Sequence, residues 1–242
     1  MKSQIKCNKY IIVALLTAVL FAIQFLFSRF GSLIAGLFDY SAIDKDGLFA
    51  KITIHHIVQL ICSIAVIILL RKIKGIDGFK LRPKYDVKGI RYTVIFCTAL
   101  LMYYLVIYIT GAYFNSINTY DYELNPTNVI GTLGFQLFLS GPSEEVLFRS
   151  LPITLLLYYM KSDSKKERVI SVVIAAILFS LAHISIMPFS VVWFQVCYAF
   201  VLGLAYGFVL IKTESVIYPM IMHSFSNLIS VGGCYLYMLF EK

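Results

Sequence analysis

Residues Asn128–Met160 read NVIGTLGFQLFLSGPSEEVLFRSLPITLLLYYM, an apolar run interrupted near its centre by Glu144, Glu145 and Arg149. The run is read as a membrane span. As one helix it would be ~50 Å long at ~1.5 Å per residue, more than a hydrocarbon core of ~30 Å. It must therefore tilt, break or project beyond the bilayer, and Gly141-Pro142 is the expected kink, because proline removes a backbone donor and crowds the preceding turn. An ionised carboxylate in hydrocarbon costs at least ~2.5–3.5 kcal/mol. Two side by side also repel each other, so a chain that keeps such a pair is expected to use it.

The surroundings of this run agree with a membrane protein. The chain has 242 residues, 60% hydrophobic and 14% charged, which excludes an ordinary soluble domain. Apolar stretches fall at 10–30, 48–70, 92–114, 128–159, 169–187, 190–211 and 215–240. Lipid offers no hydrogen-bond partners, so each should be helical. The expected fold is an all-α polytopic bundle of about seven transmembrane helices. It forms a single membrane domain over 1–242, with a motif-bearing catalytic core at 128–230 in the last four helices. Only Met187-Pro188-Phe189 separates the fifth stretch from the sixth, which implies a tight turn. The first stretch, approached by Lys2, Lys6 and Lys9, is too long for a signal-peptide core and reads as a retained helix.

The formal charge of +8 is unevenly placed. Between Arg71 and Arg91 eight Lys/Arg face Asp77 and Asp86, and between Lys161 and Arg168 four face Asp163 and Glu167. Excess Lys/Arg in short loops marks the cytoplasmic side, so the N-terminus and both basic loops are expected there. The segments around Asp39–Asp46 and Asp121–Glu123 fall on the other side. The basic excess is thus a topology signal. The lipid bilayer is the expected partner and nucleic acid is not. Phe79 and Leu81 are expected at headgroup level. The five cysteines, Cys7, Cys62, Cys97, Cys197 and Cys234, show neither CxxC nor metal spacing and read as packing residues.

Four polar features in the last four spans carry the candidate chemistry. Glu145 and Arg149 are four apart, share a helix face and can pair. Glu144 is rotated by ~100° and need not share that partner, which leaves it to act as a general base. His183 lies four residues after Phe179, and Asn227 four after His223. Converging between helices, these groups could activate a water and hold an oxyanion. Glu144, His183 and His223 plus water would also make a plausible zinc site. Each polar residue alone also reads as interhelical glue; it is their coincidence that points to a site. His55 and His56 lack such company and read as interfacial.

These residues resemble the motifs of a known family, the CAAX-processing and bacteriocin-processing (CPBP, or Abi) intramembrane endopeptidases. The EExxxR, FxxxH and HxxxN patterns of that family match Glu144–Arg149, Phe179–His183 and His223–Asn227, intact and in order. The resemblance implies hydrolysis of a peptide bond in a peptide or membrane-associated protein reaching a cavity among the last four helices. Glu144 and His183 would activate water, His223 and Asn227 would stabilise the oxyanion, and Glu145 and Arg149 would orient them. It leaves a metal-free glutamate mechanism and a zinc mechanism both open. In bacteria such proteins serve bacteriocin maturation and self-immunity, and a bacterial plasma membrane is the expected location. A non-catalytic immunity or scaffold protein and a Glu/His-based transporter are the alternative functions.

Counting from the charged loops puts Glu144 and His183 deeper than His223. The helices flanking 161–168 are therefore expected to project by one or two turns.

Overall fold

The computed structural model describes residues 2–114, 116–186 and 189–240, apart from the side chains of 2–8, 186 and 189. The helices are α1 (Lys2–Ala35), α2 (Ala50–Lys74), α3 (Val87–Tyr113), α4 (Pro126–Phe135), α5 (Gly141–Glu145), α6 (Leu151–Met160), α7 (Lys165–Leu181), α8 (Trp193–Thr213) and α9 (Ile217–Phe240). The described residues are all helix and connection, save a two-residue antiparallel ladder of β1 (Ser185–Ile186) and β2 (Phe189–Ser190). Four helical stretches, Lys9–Ala35, Ala50–Lys74, Val87–Tyr113 and Trp193–Thr213, are each long and apolar enough to cross a bilayer. Their outer faces carry bare Leu15, Leu26, Ile61, Ile109 and Val201, as lipid-facing helices should.

The quoted run does not break at Gly141-Pro142. From 126 to 160 it stays helical, with π-helical turns at Gln136–Ser140 and Val146–Ser150 on either side of α5. Each π turn has a proline behind it. Pro142 and Pro152 lack the N–H that would bond the carbonyl four residues back, and their rings crowd that carbonyl. Those carbonyls belong to Phe138 and Phe148, each in the middle of a π turn. Widening the turn absorbs the clash while the chain stays helical.

The 169–187 stretch also differs from expectation. Helix α7 ends at Leu181, and the chain turns through His183 into the small ladder. Met187 and Pro188, at the centre of the expected tight turn, lie outside the described residues, as do the side chains of Lys2, Lys6 and Cys7.

Close approach holds the later helices together. A Cβ on Gly203 would come within 3.1 Å of Ala176, and one on Gly207 within 2.9 Å of Val172, so α7 and α8 lie nearly backbone to backbone. This register sets Arg168 opposite Ile211. The start of α7 is therefore level with the end of α8, and the expected projection is not seen there. Ser150 and Thr154 donate to the carbonyls of Phe79 and Gly78, while Val216 and Ser215 donate to those of Lys80 and Arg82. The turn between α8 and α9 thus sits beside the start of α6.

These bonds also correct the reading of Phe79. It is fully buried, packed with Leu151 and Leu155 rather than resting among headgroups. The basic segment 76–86 is a strap across this end of the bundle, pinned by Tyr218, whose hydroxyl donates to the Lys84 carbonyl and accepts from the Asp86 N–H. At the opposite end, Asp44 accepts from the N–H groups of Leu48, Phe49 and Ala50 and so caps α2. Asn128 ties Asp46 to the Glu123 carbonyl.

Candidate active site

The two adjacent carboxylates have different surroundings. Glu145 is fully buried, with Oε1 2.8 Å from Arg149 Nη1 and 2.7 Å from His223 Nδ1. The spacing-based Glu145–Arg149 pair is therefore present, as an ion pair by distance rather than an aligned hydrogen bond. The guanidinium is held by aromatic faces, its Cζ 3.8 Å from the Phe179 ring centre and 5.1 Å from that of Tyr206. Tyr206 in turn stacks on His223 at 5.1 Å and shares a hydrogen bond with Ser226, whose hydroxyl donates to the His223 carbonyl.

Such a knot requires α5 and α9 to approach closely. Gly141 allows it: a Cβ there would fall 2.5 Å from Ser224 Oγ and 2.7 Å from the Met220 carbonyl oxygen.

Glu144 is turned away from Arg149 towards two imidazoles. Its Oε2 lies 3.6 Å from His223 Nε2, and its Oε1 lies 3.8 Å from His56 Nε2. His56 is thus not interfacial. It is buried, reaches in from α2, and shares a 2.8 Å hydrogen bond with Ser143 through Nδ1.

The hydrogen bonds fix how three rings are oriented. The Ser143 hydroxyl donates to the Ser140 carbonyl, so it accepts from His56 Nδ1. The Phe179 carbonyl and the Glu145 carboxylate can only accept, so His183 Nδ1 and His223 Nδ1 also donate. In all three rings Nδ1 is anchored and Nε2 is left for chemistry. For His183 this follows from the helix end. Its backbone N–H bonds Ser180, three residues back, and its ring takes the Phe179 carbonyl instead.

Two cavities meet at this point. The larger, about 330 Å³, is lined by Glu144, His183, His55 and His56, with Gln24, Ser28 and Arg29 of α1 on its far wall. The smaller, about 240 Å³, is lined by Glu144, His56, Ser140 and Asn227. Glu144 and His56 alone line both. The larger cavity is not confined to the last four helices, since α1 and α2 supply one of its sides.

All six motif residues are near one another, but they do not face one space. His183 faces the larger cavity and Asn227 the smaller, where its amide donates to Ser140 at 2.8 Å. Among the described residues no three of His, Cys, Asp and Glu are gathered as a metal-binding set.

His56 was missed by its motif-free context, yet a signal was there. His56, Gln59 and Ser63 form a polar stripe at helical spacing on α2, and all three are buried.

Comparison with known proteins bears on what this arrangement is. The family described as Type II CAAX prenyl endopeptidase Rce1-like matches residues 126–229. Those residues are similar to the CAAX-protease family. No curated protein and no solved structure matches the chain. The matched segment runs from the start of α4 to beyond Asn227 and contains every motif residue. With its apolar helices the chain is an integral membrane protein, and its residues 126–229 are similar to a protease family. The wall built from α1 and α2 lies outside the match.

Proposed function

We propose that this protein is an intramembrane endopeptidase that hydrolyses a peptide bond of a peptide or membrane-associated protein, with Glu144 as general base. The observation that carries the reading is the position of Glu144. It is held off the buried Glu145–Arg149 pair, stands between the Nε2 atoms of two anchored histidines, and opens to both cavities.

An extended substrate passing Glu144 would occupy the larger cavity on one side and the smaller on the other. Glu144, with His183 on the same wall, takes a proton from water, and the hydroxide adds to the scissile carbonyl carbon. The second amide N–H of Asn227, joined by His223 Nε2 when that ring carries a proton on both nitrogens, is the donor for the oxyanion. As the C–N bond breaks, the proton held by Glu144 passes to the leaving amine. Glu145 and Arg149 position His223, and His56 positions Glu144. This reading takes the metal-free form of the chemistry, and what supports it is that the rings are anchored through Nδ1 by hydrogen bonds.

The motif-bearing core is residues 128–230, in a bundle of about seven spans with the N-terminus and the basic strap in the cytoplasm. Bacteriocin maturation or self-immunity in a bacterial plasma membrane is the setting this reading fits.

Cleavage of a broad peptide library by the purified protein in detergent tests the reading, with Glu144→Gln alongside and 1,10-phenanthroline in a third arm. The expected result is cleavage by the wild type, little or none by the variant, and survival of activity in the chelator. Equal cleavage by wild type and variant would overturn the role of Glu144, and loss in the chelator would restore the metal mechanism.

A further inference from the structure

The amide of Gln24 has no function in the fold. Gln24 lies on α1, is 5% exposed, and neither its Oε1 nor its Nε2 has a hydrogen-bond partner among the described residues. A buried polar group left unpaired is costly, and native proteins rarely keep one without a use. Gln24 lines the larger cavity, with Ser28 four residues further along the same helix face. The same cavity is lined by Glu144 and His183.

We infer that Gln24 is a substrate-binding residue whose side-chain amide pairs with a backbone peptide group of the chain lying in the larger cavity. This rests on the peptidase reading and extends it by giving the α1 wall the task of holding an extended segment against Glu144.

The chemistry matches on both atoms. A peptide group needs one acceptor for its N–H and one donor for its C=O, and a primary amide supplies both. A substrate backbone withdrawn from water into a bundle must find such partners. Pairing through the backbone makes contact with any side chain possible, so Gln24 fixes where the chain lies rather than which residues it contains. The terminal torsion of glutamine is soft, and turning the amide towards the cavity costs little. Helix α1 lies outside the family-matched segment, so this contact belongs to the part of the site that the family match does not reach.

The test uses the whole protein in detergent micelles and a fluorescein-labelled random octapeptide pool. Binding to Glu144→Gln, which holds without cleaving, is compared with binding to the same protein carrying Gln24→Met, an apolar side chain of similar length. The expected result is roughly ten- to thirtyfold weaker binding of the same peptides without the amide, the effect of two neutral hydrogen bonds. Without peptide, Gln24→Met alone should melt ~2–4 °C higher, because it removes the unpaired group. In the active protein the substitution should raise KM and leave kcat close to wild type.

Equal binding with and without the amide, binding by neither protein, or a lower melting temperature for Gln24→Met would each overturn the assignment. Peptides that need Gln24 to bind yet are never cut by the wild type would sink the peptidase reading and leave the binding site standing. Peptides cut with an unchanged KM after Gln24→Met would do the reverse.

Discussion

Two arginine–carboxylate pairs lie at opposite extremes of this molecule. At its centre, Arg149 and Glu145 are both fully buried, 2.8 Å apart, between the faces of Phe179 and Tyr206. At the turn between α6 and α7, Arg168 pairs with Asp163, whose side chain is 60% exposed. Both pairs have similar sequence spacing and the same charges. What separates them is where the released charge would go if one partner were lost. At the turn, water takes it up. At the centre no solvent does, and the neighbours left are aromatic rings and the His223 imidazole.

Arg149→Met should sharpen that contrast most. It strands Glu145 in a dry interior, and breaking a buried pair typically costs roughly 3–5 kcal/mol. The expected outcome is a protein that fails to fold or melts far below wild type in detergent, measured by tryptophan-independent static light scattering or circular dichroism. Wild-type melting would show that the aromatic cage, not the charge pair, holds the centre.

Glu144→Gln probes the same helix turn with the opposite expectation. Glu144 makes no short hydrogen bond among the described residues; the nearest basic side chains are imidazoles at 3.6 and 3.8 Å. The variant should therefore fold and melt like wild type, while cleavage falls at least ~100-fold, the usual contribution of a general base. A large drop in melting temperature with cleavage intact would reverse the assigned roles of the two glutamates.

How much of this was legible beforehand follows from distance along the chain. Glu145 and Arg149, Phe179 and His183, and His223 and Asn227 are each four residues apart, and helical geometry brings each pair onto one face without tertiary knowledge. The Glu145–His223 bond spans 78 positions and the His56–Ser143 bond 87. No periodicity reports such contacts. His56 looked interfacial because it was weighed with His55, its neighbour in sequence, rather than with Gln59 and Ser63, its neighbours on the helix. Phe79 was misplaced because a basic, glycine-containing segment reads as solvent-exposed loop, whereas here its carbonyls are taken by Ser150 and Thr154 and its apolar side chains fill the core. The π turns were unreadable as such, but their cause was in view: two prolines ten residues apart, each acting on the carbonyl four residues back.

Gly141→Ala tests how tightly the buried centre depends on α5 meeting α9. The new methyl would face backbone atoms of Met220 and Ser224 at under 3 Å, so the helices must part. Overpacking of this kind costs about 1–3 kcal/mol, and parting also lengthens the Glu145–His223 contact. Melting should fall moderately and cleavage with it. A neutral effect would mean that the two helices slide freely and that the centre is less rigid than its contacts imply.

Asp163→Asn completes the comparison at its weak end. Arg168 donates to the Asp163 carboxylate through Nε at 2.7 Å and through Nη2. These hydrogen bonds hold the Asp163 carboxyl below its usual range against a small opposing effect of burial, and the charge of Arg168 adds to them. A carboxyl whose folded-state pKa is depressed contributes stability above its unfolded value of about 3.8. That contribution is lost as pH falls through the lower, folded value. Solvent screening limits it to under ~1 kcal/mol. Asp163→Asn should thus lower the melting temperature slightly at pH 7, less so in high salt, and not at all once the wild-type carboxyl is protonated. If the loss at pH 7 instead matched that of Arg149→Met, the turn would be as dry as the centre, and burial would no longer account for the difference between the two pairs.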